Sequence, residues 1–176
     1  GEETMKLILE SFLKDSRVSA VVNTIKITRT ELMERLTAQG IEVTDAPYVE
    51  NAFIMSDYNY LEEIPEFIDG MFQIQDISSM LAGKIASPSK DSTVIDVCAA
   101  PGGKSTQIAC SMQGEGLIVC NEIHPARAKI LSENIERMGV CNALVTNETP
   151  QKLSDNFREY FDRILVDAPC SGEGMF

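Results

Sequence analysis

The chain has 176 residues, 44% hydrophobic and 24% charged, enough to bury a core as one domain or as one domain with a small appendage. Its formal net charge of −12 speaks against gripping nucleic acid unaided, because phosphate contacts need Lys and Arg. The apolar runs are too short to span a bilayer, no signal-peptide pattern opens the chain, and five cysteines without a C-x-x-C pair argue against structural zinc.

An odd cysteine count fits a reducing, cytoplasmic setting, and no metal or membrane partner is expected. Residues 1–70 carry 6 basic and 14 acidic side chains, a balance of −8, and residues 71–176 carry 9 and 13, a balance of −4. Neither half is a basic arm. If the substrate is RNA, much of its binding surface must lie elsewhere.

In chain order, Leu7, Ile8, Phe12 and Leu13 stand at helical spacing over 5–14. Ser19 to Ile27 is rich in β-branched residues and reads as a strand. Asn23 and Lys26 are read as solvated surface side chains, with RNA contact as the alternative. Thr28-Arg29-Thr30-Glu31 is a capping box that opens a helix bearing Leu32, Met33 and Leu36 before Gly40. Ile41 to Thr44 is a short strand. Residues 45–69 are irregular, punctuated by Pro47 and Pro65, with a turn at Asp57-Tyr58-Asn59-Tyr60. Residues 1–70 thus read as a small α+β accessory domain, with RNA contact as its candidate role.

Gly70 is the expected boundary. Met71 to Gln75 reads as a strand, and Asp76 caps a helix containing Ile77, Met80, Leu81 and Ile85. Apolar strands centred near Ile95, Ile118, Leu144 and Leu165 follow at intervals of 23, 26 and 21 residues, with helix-compatible segments between them. That alternation predicts a parallel sheet with right-handed crossovers over 71–176. The helix opened by Pro125 is the clearest: Ala128, Leu131, Ile135 and Met138 share one face, and Gly139 ends it.

The first of these strands runs into Asp96-Val97-Cys98-Ala99-Ala100-Pro101-Gly102-Gly103-Lys104. A strand, a glycine turn and a helix leave free backbone N–H groups at a strand's carboxyl end, where open α/β sheets bind ligands. The dinucleotide fingerprint is absent. Gly103-Lys104-Ser105 imitates the end of a phosphate-binding loop, but Cys98 stands where its first glycine belongs. A carboxylate at Asp96 suits a cationic, hydroxyl-bearing ligand such as S-adenosylmethionine better than a triphosphate. Glu122, leaving the second strand about 20 residues beyond the loop, stands where nucleoside-binding sheets place a ribose acceptor. Asn147, leaving the third, is read either as a contact to adenine or as a turn former. Asp167 and Cys170 leave the fourth strand at the same edge, and the glycine-bounded loop around Cys170 favours a reactive thiol.

Together, Asp96 to Lys104 and Asp167-Ala168-Pro169-Cys170-Ser171-Gly172 resemble the Fmu/Sun family of RNA (cytosine-5) methyltransferases. Gln75-Asp76-Ile77-Ser78-Ser79, Asn121-Glu122-Ile123 and Asn134 to Gly139 also fit its motifs. The resemblance runs from about Gly70 to Phe176, and weakly through Val22 to Lys26; Val21 replaces an arginine expected there.

The resemblance implies a partial Rossmann-like S-adenosylmethionine-dependent methyltransferase domain, preceded by the small α+β domain. It implies methyl transfer to C5 of cytidine, in ribosomal RNA, through a covalent cysteine–cytosine adduct. Cys98, Ala99, Ala100, Pro101, Gly102, Gly103, Lys104, Glu122, Asn147 and Asp167 would seat the cofactor. Cys170 matches the cysteine that assists release of the adduct, and Asp167 the carboxylate that pairs with the base. The attacking cysteine belongs to a later motif, so the chain is expected to be a fragment with little or no turnover alone. Two alternatives remain at this point: a P-loop-like NTPase, and a non-catalytic scaffold or interaction module. The sequence does not set the oligomeric state.

Overall fold

A computed structural model describes residues 4–5 and 18–168. Beyond Met5, the helix expected over 5–14 lies outside the described residues, as does Cys170. The first unit is a four-stranded sheet of β1 (Val18–Val22), β2 (Glu42–Asp45), β3 (Ala52–Ser56) and β4 (Phe72–Ile74), in the order β2-β3-β1-β4 with antiparallel pairing. Helix α1 (Arg29–Ala38) starts at the expected capping box, in which the Thr28 side chain accepts from the Glu31 N–H. It buries Leu32 and Leu36 against Ala20, Val22, Phe53, Met55 and Phe72. A 3-10 turn (Leu61–Glu63) and the short α2 (Pro65–Ile68) lead into β4.

Two expectations change here. Ala52–Ser56, within the stretch read as irregular, is a strand and the direct partner of β1. Its side chains alternate poorly because both faces are covered: Ala52 packs with Val21 and Met80 on one side, and Phe53 and Met55 join the α1 core. The strand expected over 71–75 does form, but it pairs with β1 as the edge of the first sheet. A division at Gly70 would therefore cut that sheet. Gly70 itself is a point of close approach: its φ is +66°, and a Cβ there would stand 2.2 Å from the Arg137 carbonyl oxygen.

Helix α3 (Ile77–Ala86) is capped by Asp76, which accepts from the Ser78 N–H, and leaves Ile85 81% exposed. It carries Met80 to the free face of the first sheet and packs along α4 (Gly103–Met112), joining the two halves. The second sheet contains β5 (Thr93–Asp96), β6 (Leu117–Asn121), β7 (Ala143–Thr146) and β8 (Arg163–Leu165), all parallel in the order β7-β6-β5-β8.

Counted within this sheet, the order is 3-2-1-4, that of a partial Rossmann-like fold, with its switch point between β5 and β8. Helices α4 and α5 (Pro125–Met138) cover one face through Ile108, Met112, Leu131, Ile135 and Met138. Helix α6 (Pro150–Asn156) covers the other, placing Leu153 and Phe157 against Ile95 and Val119. All four positions read as the apolar face of α5 are buried, and Gly139 ends it at φ +71°. Among the described residues strand β8 is the last of this sheet, with Ile164 65% exposed. Among the described residues, no helix is long and apolar enough to cross a membrane.

Candidate active site

The chain leaves β5 at Asp96 and bends across the carboxyl ends of the parallel strands. The Ala99 N–H donates to the Asn121 carbonyl at 2.8 Å, stitching the bend to the end of β6. Gly102 holds φ +115°, a region costly to side-chain-bearing residues, and a Cβ there would press within 3.2 Å of Leu131 Cδ1. From α5, Asn134 Nδ2 donates to the Pro101 carbonyl at 2.9 Å. Helix α4 then starts with the Thr106 N–H on the Gly102 carbonyl.

One buried amide ties three strand exits together. Asn121 Nδ2 donates to the carbonyls of Val97 (3.1 Å) and Glu148 (3.0 Å), while its Oδ1 accepts from Thr146 Oγ1 (2.9 Å) and the Glu148 N–H (3.0 Å). All of its hydrogen-bonding capacity is used inside the fold. A polar residue closing an otherwise apolar strand was the only sequence signal for this role.

Glu122 follows, only 2% exposed. Its Oε1 accepts from the His124 N–H at 3.0 Å, and its Oε2 lies 3.5 Å from Arg127 Nη1. The same guanidinium donates to the Ala100 carbonyl at 2.9 Å, so Arg127 braces the carboxylate and the bend together. Sequence reasoning gave Arg127 no role, because an arginine near a helix start is ordinarily solvated.

Across the bend, Lys104 Nζ meets Asp167 Oδ2 at 2.6 Å and lies 3.3 Å from Ser79 Oγ. The Asp167 side chain is 58% exposed. Cys98, Ala100, Glu122, Ile123, Arg127 and Asp167 line one cleft of about 710 Å³ at the switch point, within the size range of small-molecule sites.

The other sequence candidates fall nearby but outside this lining. Ala99 and Gly102 are buried behind the bend, Gly103 is half-buried, and Pro101 is exposed on its outer side. Asn147 donates to the carbonyls of Glu122 (2.6 Å) and Ile123 (3.0 Å), so its amide buckles the β6 exit to that of β7. Asp96 is buried and accepts from Ser105 Oγ at 2.7 Å, facing α4 rather than the cleft.

Charge at the rim is paired, Glu122 against Arg127 and Asp167 against Lys104, with Asp96 behind them. Burial pushes the Asp96 carboxyl above its ordinary value, against the opposing hydrogen bond from Ser105. Burial also raises the Cys98 thiol, helped by the carboxylates of Asp96, Glu122 and Asp167. Cys98 is thus kept as a thiol rather than prepared as a nucleophile. A triphosphate would meet these carboxylates, and Lys104, which a P-loop needs free, is engaged by Asp167.

Comparison with known proteins fits this geometry. The family model for the 16S rRNA methyltransferase RsmB/F matches residues 84–176. The chain belongs to this family. The assignment agrees with the Fmu/Sun resemblance carried by the two long motifs, and the NTPase and scaffold alternatives are not favoured.

Among RsmB/F relatives, ribosomal RNA small subunit methyltransferase F of Shewanella loihica is 39% identical over 168 residues, covering 92% of this chain and 35% of that protein. A methyltransferase homolog protein from Pyrococcus horikoshii matches in structure with TM-score 0.82 and 31% identity, over 94% of this chain and 54% of that one. NSun6 from Pyrococcus horikoshii with SFG matches with TM-score 0.81 and 22% identity, over 89% and 64% respectively, a likeness of fold. The chain spans about a third of the length of the curated relatives it matches.

Proposed function

We propose that this chain carries the cofactor-binding half of an RNA (cytosine-5) methyltransferase acting on ribosomal RNA, with S-adenosylmethionine as methyl donor. The observation that carries the reading is the convergence of Glu122 and Asp167 on one cleft, over a glycine bend, at the switch point of a parallel sheet. The residues fit the cofactor chemically. Glu122, buried and braced, offers a carboxylate to a ribose diol. Ile123 and Ala100 offer apolar surface to a purine.

When bound, S-adenosylmethionine supplies an electrophilic methyl group. Arg127 keeps Glu122 from turning away by holding it to the Ala100 carbonyl. Lys104 orients the Asp167 carboxylate at the rim, where it can accept a hydrogen bond from the exocyclic amine of a cytosine. Cys98, kept protonated, takes no part as nucleophile. Cys170 would assist release of the covalent adduct.

The reading is tested by incubating the full-length protein with ribosomal RNA and methyl-labelled S-adenosylmethionine, then digesting the RNA to nucleosides for mass spectrometry. Label in 5-methylcytidine supports it. Label confined to another nucleoside, or to protein, overturns it.

A further inference from the structure

The cofactor bend is not held by the methyltransferase sheet alone. Gln73 belongs to β4, the edge strand of the first sheet, and is buried. Its Nε2 donates to the Gly103 carbonyl at 2.8 Å and to Gln75 Oε1 at 3.1 Å, and its Oε1 accepts from Thr106 Oγ1 at 2.6 Å. Gln75 Nε2 in turn donates to Gln107 Oε1 at 3.2 Å, and Gln107 Nε2 to the Met80 carbonyl at 2.9 Å. Three glutamine amides thus run from the accessory sheet across the first turn of α4 and back to α3.

We infer that Gln73 is a positioning residue, by which the accessory sheet fixes the cofactor bend and so sets affinity for S-adenosylmethionine. This rests on the reading that the bend from Cys98 to Lys104 seats the cofactor. The physical need is plain. Two successive glycines give the bend the greatest freedom to lose on ordering, and Gly102 occupies a φ that only glycine adopts readily.

Apolar contact would bury the outer side of such a turn without choosing its orientation. Amide hydrogen bonds choose it, because each carbonyl must point at its donor. The Gly103 carbonyl accepts from Gln73 Nε2 and, at 3.1 Å, from Thr106 Oγ1, and Gln75 Cδ lies 3.6 Å from where a Gly103 Cβ would stand. A ligand seated on the inner side then finds the N–H groups already aimed and has less order to impose.

The test uses Gln73→Leu and the isosteric Gln73→Glu, which keeps an acceptor for Thr106 but loses the donor to Gly103. Lys26→Met is the control. Lys26 Nζ donates to the carbonyls of Asp69 and Arg137 at 2.6 Å each, joining the same two units away from the bend. Amide hydrogen exchange is followed over 98–106 by mass spectrometry, and S-adenosylmethionine affinity by calorimetry.

Both Gln73 variants should speed exchange across the bend and weaken the cofactor at least about tenfold, the cost of losing the bond to the Gly103 carbonyl. Lys26→Met should do neither. Unchanged exchange in Gln73→Glu overturns the inference, as does faster exchange with unchanged affinity, or an equal response in Lys26→Met. If the parent chain itself shows no affinity for the cofactor, the functional reading fails, while the exchange data still decide whether Gln73 holds the bend.

Discussion

Replacing Asn23 with alanine should uncouple the two halves of the molecule at measurable cost. Asn23 is fully buried. Its Nδ2 donates to the Gly70 and Met138 carbonyls, both at 2.7 Å, and its Oδ1 accepts from the Ile25 N–H at 3.1 Å and Cys110 Sγ at 3.3 Å. One amide therefore joins the β1 exit, the turn before β4 and the last residue of α5.

Alanine would leave two buried carbonyls without that donor, each costing about 1–3 kcal/mol, so the sum is about 2–5 kcal/mol once water entry offsets part of it. With a urea m-value of about 2 kcal/mol/M for a chain of this size, the unfolding midpoint should fall by about 1–2.5 M. Asn23→Asp should be at least as damaging, because it replaces the donor with a carboxylate facing two carbonyl oxygens. The assay is urea unfolding followed by far-ultraviolet circular dichroism. A solvated side chain reserved for RNA would cost less than about 0.5 kcal/mol to remove. A midpoint within about 0.3 M of the parent would refute the latch.

Gly70→Ala should destabilise by at least about 2 kcal/mol in the same assay, since its Cβ would collide with the Arg137 carbonyl at a positive φ. Asp96 has a folded-state carboxyl raised above its unfolded value, so the native state holds its proton to higher pH. Its contribution is full below the unfolded value and is lost as pH rises through the folded one; the stability of the parent relative to Asp96→Asn should fall across that window, read by urea titrations at successive pH. At neutral pH, peptide-resolved alkylation should label the exposed Cys141 before Cys98, whose thiol is raised, while buried Cys110 and Cys120 should react only on unfolding. Burial pushes the Cys120 thiol up to about 12.

What the sequence made legible was local. The Thr28–Glu31 capping box, the buried stripe of α5 and the strand–glycine–helix bend are each specified by residues within a few positions of one another. Pairing between distant segments was not legible. The strand over 52–56 was hidden because two covered faces remove the alternation that marks a half-buried strand.

The pairing of β4 with β1 depends on residues about 50 positions apart, and nothing in Phe72-Gln73-Ile74 states which sheet it joins. Asn23 and Lys26 were read as surface, or as contacts to RNA, because a polar side chain at a strand end usually is. Both instead satisfy carbonyls across the junction of the two halves. At the candidate site the carboxylates at 122 and 167 could be placed on one sheet edge from strand spacing alone. The brace from Arg127 and the clamp from Asn121 required coordinates.

The central claim is that S-adenosylmethionine sits between Glu122 and the Cys98–Lys104 bend. Amide chemical shifts of the isotopically labelled chain, titrated with S-adenosylmethionine, test it directly even if affinity is modest. The account predicts perturbations centred on Cys98, Ala100, Glu122 and Ile123, with binding weakened about 10- to 100-fold by Glu122→Ala. Perturbations centred on another surface, or an affinity indifferent to Glu122→Ala, would contradict it.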